Sequence, residues 1–349
     1  MPINQLYKLL PINGYVTIFI VSCRFKIYQI APNKLEVLVY LDMEARMIVG
    51  DSIDQRLDRY HLIRLLGQSG SSEVYLAEHK ELHTPVAIKM LHSRFARNDL
   101  EKFLARAYSL TQLEHPHIVR VFDFGIENGT PYLVMSYAPD GTLRQRYPRG
   151  RHLSLEIVVS YVKQIADALQ YVHERKLIHR DIKPHNMLLG PDNQVLLSDF
   201  GIAVTSQSID ANLTGMTDFE GTVLYAAPEQ LQGKPGRSSD QYALGVVVYE
   251  WLSGEWPFSG SFYEVARQQM FDAPPSLRRE KGIDIEPAVE EVVLKALAKD
   301  PCKRFGSMRE FAEALEWASH GASIIAFQVR SRRQFISPLP FAFKTSVIY

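Results

Sequence analysis

Residues 179–186 read His179-Arg180-Asp181-Ile182-Lys183-Pro184-His185-Asn186, and a second acidic turn, Asp199-Phe200-Gly201, follows. No other feature restricts the fold as much, because these groups act together only where the backbone brings them together. Asp181 can accept a proton from a hydroxyl, and Asn186, five residues on, can hold a divalent metal. Asp199 can hold the same metal cluster, a set that suits phosphoryl transfer. His-Arg-Asp alone is a tripeptide of ordinary solvated turns; the string with Lys183, Pro184, Asn186 and the later Asp-Phe-Gly is specific.

The stretch resembles the catalytic loop of the eukaryotic-like (bacterial-type) serine/threonine protein kinases, and the spacing to Asp-Phe-Gly is similar to theirs. The resemblance implies an α+β, bilobal protein-kinase-like fold with a small β-rich N-lobe over 56–135 and a larger α-helical C-lobe over 139–319. Together these form a kinase domain over 56–319, between an N-terminal extension of unknown role at 1–55 and a tail at 320–349. A chain of 349 residues can bury the core of one such large domain or of two ordinary ones.

With 39 basic and 39 acidic residues, the charge balance argues against nucleic acid or an anionic membrane as the main partner. Cys23 and Cys302, the only cysteines, are too few for a disulfide framework or a zinc site, which fits a reducing cytoplasm. The apolar run at 15–23 ends at Arg24, and that at 322–329 meets Arg330. Both fall short of the roughly 20 residues a spanning helix needs, so no transmembrane segment and no signal peptide are expected. Within 1–55, short strand-like runs at 15–21 and 35–41 are broken by Pro11, Gly14 and Pro32. Met43 and Met47 fit a reading in which part of this segment is an upstream start.

Residues 60–66 and 74–78 read as strands around the turn Gly67-Gln68-Ser69-Gly70-Ser71-Ser72. The resemblance makes this the loop whose backbone N–H groups cover the phosphates of ATP. Only Gly67 of the family's three glycines is kept, with Ser69 and Ser72 in place of the others. Lys89, ending Val86-Ala87-Ile88-Lys89, matches the lysine that contacts the α- and β-phosphates. A helical stripe of Leu100, Phe103, Leu104, Ala107, Leu110 and Leu113 predicts a helix over 98–114, with Asn98 and Glu101 spaced as a capping box. The family presents a glutamate to the strand lysine from this helix; this chain has Arg106 there. A cation facing Lys89 would repel it and hold the helix outward, in a weakly active arrangement; the alternative is that the long stem of Arg106 carries it to solvent and Lys89 finds Asp199 or another carboxylate. By resemblance, Met135 guards the adenine pocket, Ser136 and Ala138 offer hinge backbone groups, and Leu66, Val74, Ala87 and Leu188 enclose the ring.

A helix beginning at Ser154, with Val158, Val162, Ile165, Leu169 and Val172 at helical spacing, leads into the catalytic loop. The resemblance assigns Asp181 to the acceptor hydroxyl, Lys183 to the transferred phosphoryl group, and Asn186 and Asp199 to magnesium. Arg180 would receive a phosphate carried by Thr214 or Thr217, and Thr222, before Ala227-Pro228-Glu229, matches the substrate-site threonine of Ser/Thr-specific kinases. His179 reads as a packed structural residue, the helix at 240–245 as a brace for the loop, and Arg304 as the partner of Glu229. The implied function is a serine/threonine protein kinase moving the γ-phosphate of ATP, with magnesium, to hydroxyls of proteins including itself. A homodimer would allow autophosphorylation in trans. The alternative is a pseudokinase or nucleotide-binding signalling module, weakened because Arg106 replaces the helix glutamate. A small-molecule kinase fits less well, since Lys183, Thr222 and Ala-Pro-Glu serve a peptide acceptor.

Overall fold

The computed structural model describes residues 26–29, 37–40, 56–57, 59–69, 72–92, 97–127, 129–200, 223–279 and 281–321. The chain divides into two compact units, 1–52 and 53–349. In the first, β1 (Lys26–Gln29) and β2 (Val37–Tyr40) pair antiparallel, with Lys26 opposite Tyr40. The run at 35–41 thus contains β2, while that at 15–21 lies outside the described residues. The partner strand is the four-residue segment Lys-Ile-Tyr-Gln, too short for alternation to mark it.

The second unit opens with β3 (Arg56–Leu57), β4 (Tyr60–Gln68), β5 (Ser72–His79) and β6 (Pro85–Leu91). Helix α1 (Arg97–Thr111) follows, then β7 (Val121–Glu127) and β8 (Thr130–Ser136). The strands form one antiparallel sheet in the order β3-β4-β5-β6-β8-β7. Side chains of a strand alternate between faces, so the sheet sorts its residues by parity. Leu62, Tyr75, Ala77, Val86, Ile88 and Val134 fill a core on one face. Leu91, Leu133 and Met135 join a larger cluster with Phe103, Ala107 and Leu110 of α1. The helix is shorter than its apolar stripe suggests: it ends at Thr111, and Leu113 closes the turn by donating to the Leu110 carbonyl at 3.1 Å. Asn98 already has helical backbone, so the capping position falls before Arg97, outside the described residues.

The helical part begins with α2 (Leu143–Arg146) and α3 (Leu155–Glu174), then β9 (Met187–Leu189) and β10 (Val195–Leu197), which pair as a hairpin. Helices α4 (Pro228–Leu231), α5 (Arg237–Ser253), α6 (Phe262–Phe271), α7 (Pro287–Ala296) and α8 (Met308–Ser319) complete it. Val158, Val162, Ile165, Leu169 and Val172 of α3 are all buried, each contributing about 1.5–3 kcal/mol of apolar burial. Every residue of α5 from Ser239 to Ser253 is buried, the mark of a helix surrounded by others. Gly245 lets α5 approach α7: a Cβ there would stand 3.1 Å from that of Ala296. This buried scaffold, with α3 packed between α5 and α8, carries the loop at 178–186.

Candidate active site

Strand register places the first cationic group. Residues directly opposite in an antiparallel sheet point to the same face. Gly67 pairs with Val74, Val74 with Lys89, and Lys89 with Leu133. Two residues along, Leu76, Ala87 and Met135 lie opposite one another on that face. Val74, Ala87, Lys89 and Met135 therefore share a surface, and Leu66 sits at a register shift between Leu65 and Gly67. At the hinge, Ser136 gives its N–H to the Arg120 carbonyl at 2.9 Å and lies opposite Val86 at the end of β8. Leu188 lies below, bridged to Thr142, and Ala138 follows β8 in the connection to α2.

The loop at 178–186 is held from beneath by Asp240 of α5, whose side chain is 1% exposed. Its Oδ2 accepts from the His179 N–H at 2.9 Å and lies 2.7 Å from His173 Nε2; its Oδ1 accepts from the Arg180 N–H at 2.8 Å. Arg180 adopts φ 71° and Asp199 φ 62°, left-handed conformations that cost energy in residues with a Cβ and persist where surroundings enforce them. Buried His179 turns Nε2 to the Ser198 carbonyl at 2.9 Å and packs against Phe200, ring centroids 4.5 Å apart. Burial pushes its imidazole below the ordinary histidine range, so it stays neutral.

The β9–β10 hairpin then joins the two acidic turns. Met187 lies opposite Leu197, and the Ser198 N–H donates to the Asn186 carbonyl at 2.9 Å, one residue from Asp199. Asn186 Nδ2 donates to both the carbonyl and Oδ2 of Asp181 at 2.8 Å, and Lys183 Nζ lies 3.0 Å from the same Oδ2. Lys89 Nζ reaches Asp199 Oδ1 at 2.7 Å. Burial works to raise the Asp199 carboxyl, but Lys89 outweighs it, with His179 and Lys183 adding to the effect, and the group is held below the usual aspartate range. Asn186 uses only its Nδ2 in these bonds, which leaves Oδ1 as a hard oxygen donor. Among the described residues no three His, Cys, Asp or Glu side chains cluster to hold a metal, so a cation here would rely on few protein ligands plus substrate oxygens, the habit of magnesium.

The expected opposition of Arg106 and Lys89 is not what the structure gives. Lys89 is paired with Asp199, while Arg106 Nη2 donates to the Ile178 carbonyl at 3.4 Å. The charges acting on Arg106 belong to Arg180 and Asp240, and burial is the largest influence lowering its pKa. Its long stem carries the guanidinium past the apolar stripe to the catalytic loop. The turn after Gly67 is cross-braced by its serines: Ser69 Oγ lies 3.0 Å from Ser72 Oγ and accepts from the Ser72 N–H at 3.1 Å. Thr214, Thr217 and Thr222 lie outside the described residues. Glu229 and Arg304 meet as a buried two-bond pair at 2.7 and 2.9 Å. His173 escaped the sequence reading; its place in the last turn of α3, a few residues before His179, is the signal that could have marked it.

A family profile described as "Protein kinase domain" matches residues 60–316. The chain is 35% identical over 274 residues to "Serine/threonine-protein kinase PrkC" of Bacillus subtilis, covering 77% of this chain and 41% of that protein. It is 38% identical to "Serine/threonine-protein kinase PknB" of Mycolicibacterium smegmatis, over 72% of this chain and 42% of the relative. It is 38% identical to "Serine/threonine-protein kinase PknA" of Mycobacterium tuberculosis, over 74% and 60%. The chain thus spans between 41% and 60% of the length of these relatives.

Proposed function

The chain belongs to the protein kinase domain family, and on that premise we propose that it is a serine/threonine protein kinase, transferring the γ-phosphate of ATP to hydroxyls of protein substrates and of itself. The observation that carries this reading is the pairing of Asp181 with Asn186 and Lys183 at 2.8 to 3.0 Å and of Lys89 with Asp199 at 2.7 Å, the two sets tied by the Ser198 N–H to the Asn186 carbonyl at 2.9 Å. Nothing in this arrangement favours a pseudokinase.

In this reading Asp181 orients the acceptor hydroxyl and takes its proton as the oxygen attacks phosphorus. Its Oδ2 is steered by Asn186 and Lys183, so its direction is set before substrate arrives. Lys183 stands where negative charge gathers on the transferred group. Lys89 serves the α- and β-phosphates, a task it takes up by sharing or leaving Asp199. The surface of Leu66, Val74, Ala87, Met135 and Leu188 receives the adenine, with backbone groups of Ser136 and Ala138 along its edge and Gly67 under the phosphates. Asn186 Oδ1 and the Asp199 carboxylate would hold magnesium, which when bound neutralises phosphate charge. Thr222 would meet the acceptor residue, and Arg180 a phosphate on Thr214 or Thr217.

Among the described residues no helix is long and apolar enough to cross a membrane. We place the activity in the cytoplasm, on protein partners and not nucleic acid, with a homodimer as the arrangement for autophosphorylation in trans. The test is incubation of the purified chain with magnesium and γ-labelled ATP, followed by phosphoamino-acid analysis. Phosphoserine or phosphothreonine is expected in wild type, and no label in Lys89→Met. Wild-type protein that binds ATP but transfers no label would overturn the reading.

A further inference from the structure

Val265 and Gln269, one helical turn apart, are the buried residues of α6. A glutamine on an inward face carries an amide that burial penalises unless both of its ends are hydrogen-bonded. Here Gln269 Oε1 accepts from the Tyr242 hydroxyl of α5 at 2.5 Å. Its Nε2 donates to the Leu224 carbonyl at 2.7 Å, with the Val223 carbonyl at 3.4 Å. Behind Tyr242 stands Lys299, whose Nζ donates to the Tyr242 oxygen at 3.0 Å and to the Gln268 and Gln269 carbonyls at 3.1 and 2.8 Å. Those carbonyls belong to the last turn of α6 and have no partner within the helix, so Lys299 closes the helix as well. An ammonium donates and cannot accept. The Tyr242 oxygen therefore receives from Lys299, its own proton is left for Gln269 Oε1, and the amide is turned so that Nε2 faces the chain at 223–224.

Val223 and Leu224 follow Thr222 in the chain and precede Tyr225. Tyr225 is held by its side chain: the hydroxyl donates to Glu250 Oε2 at 2.7 Å and receives from Arg144 Nη2 and Trp256 Nε1 at 2.7 and 3.0 Å. Gln269 instead holds main chain, at a turn that the Ala226 N–H closes onto the Val223 carbonyl at 3.2 Å. We propose that Gln269 is a positioning residue for the protein acceptor: by fixing the backbone of Val223 and Leu224, it sets the course of the segment on which an acceptor peptide is laid. The role rests on the kinase reading, in which Thr222 meets the acceptor residue. Gln269 belongs to α6, whereas that reading gives adenine to the sheet and the metal to Asn186 and Asp199, so its loss acts on the acceptor and not on ATP. Without the amide a buried carbonyl is stranded, and the turn at 223–226 moves to find another donor.

The test compares the full chain in wild type, Gln269→Met and Tyr242→Phe, with thermal midpoints reporting folding. Methionine matches glutamine in length and lacks the amide; phenylalanine keeps the ring of Tyr242 and removes the hydroxyl that aims it. Transfer to a threonine peptide is measured at steady state with peptide and ATP varied in turn. In Gln269→Met, kcat/KM for the peptide should fall about 10- to 100-fold while KM for ATP stays within about twofold. Tyr242→Phe should show the same split at smaller size. Hydrogen exchange, which needs no catalysis, should quicken at 223–226 in both variants and stay as in wild type at 178–186. A merely structural role would move the peptide and ATP parameters together. A fall in which KM for ATP rises in step overturns the proposal, and so does an unchanged kcat/KM for the peptide in a folded Gln269→Met protein. Tyr242→Phe decides in the same way should Gln269→Met not fold. A wild type that binds ATP and transfers no phosphate refutes the kinase reading and takes the acceptor role with it; a wild-type transfer that Gln269→Met equals refutes the acceptor role alone.

Discussion

Replacing Asp240 by asparagine changes one buried oxygen to an amide and substitutes none of the residues proposed to act on substrate. In the native site Oδ2 serves His173 and the His179 N–H, and Oδ1 serves the Arg180 N–H. The single oxygen of asparagine can satisfy one side only. The arrangement that loses least keeps His173 and His179 and sets an NH2 group against the Arg180 N–H. A buried hydrogen bond to a charged group, once lost, costs about 2–4 kcal/mol when its donor is stranded. For a domain of this size that lowers Tm by about 4–12 °C. Arg180 holds φ 71° under this restraint, so its backbone should relax and carry the adjacent Asp181 with it. A displacement on the order of 1 Å costs up to about a hundredfold in rate. The expected result in steady-state peptide phosphorylation is a fall of about 10- to 100-fold in kcat, with KM for ATP within about threefold, because Val74, Ala87, Lys89 and Met135 lie on the sheet. A folded Asp240→Asn protein with wild-type kcat would refute the argument that this carboxylate positions the loop.

Three further outcomes follow from two ion pairs and one buried cation. The Asp199 carboxyl is held below its ordinary value of 3.8, so the Lys89–Asp199 contribution to stability is present above that pH and lost as pH falls through the folded value. The stability difference between wild type and Lys89→Met, from urea midpoints, should therefore shrink on acidification below about pH 4; a constant difference would contradict the pairing. Burial pushes the Lys299 ammonium down to about 8, with Asp272 opposing and Arg304 assisting, from an ordinary 10.5. The unfolded chain then binds more protons between those values, so wild type should gain stability relative to Lys299→Met as pH rises through that window. Parallel urea midpoints for the two proteins would exclude this. Arg304→Met strands the Glu229 carboxylate, which is 13% exposed, and should destabilise by about 3–5 kcal/mol; a loss under about 1 kcal/mol in urea unfolding would show the pair to be dispensable.

The strands around Gly67 and the helix α3 are legible in the sequence because their apolar residues recur at periods of two and of three to four. The pair of β1 and β2 is half legible: β2 is apolar throughout, whereas β1 is four residues with polar ends and no alternation to mark it. In the site, Asp181, Asn186 and Asp199 stand out through their spacing, and the hairpin that joins them is short. Partner choice is another matter. Which carboxylate meets Lys89, and where the long side chain of Arg106 ends, depend on packing between sheet, helix and loop, which no local spacing encodes. The serine brace is hidden likewise: Ser69 and Ser72 read as missing glycines, and only the folded turn brings their hydroxyls to 3.0 Å.

In the proposed mechanism Asp181 receives the acceptor's proton. The direct measurement is kcat/KM for phosphorylation of a threonine peptide by wild type and Asp181→Asn, at matched folding by circular dichroism and matched ATP affinity. Loss of a positioned general base should lower the value by about 10² to 10⁴-fold while the variant still binds ATP. Equal transfer by the two proteins would contradict the account at its centre.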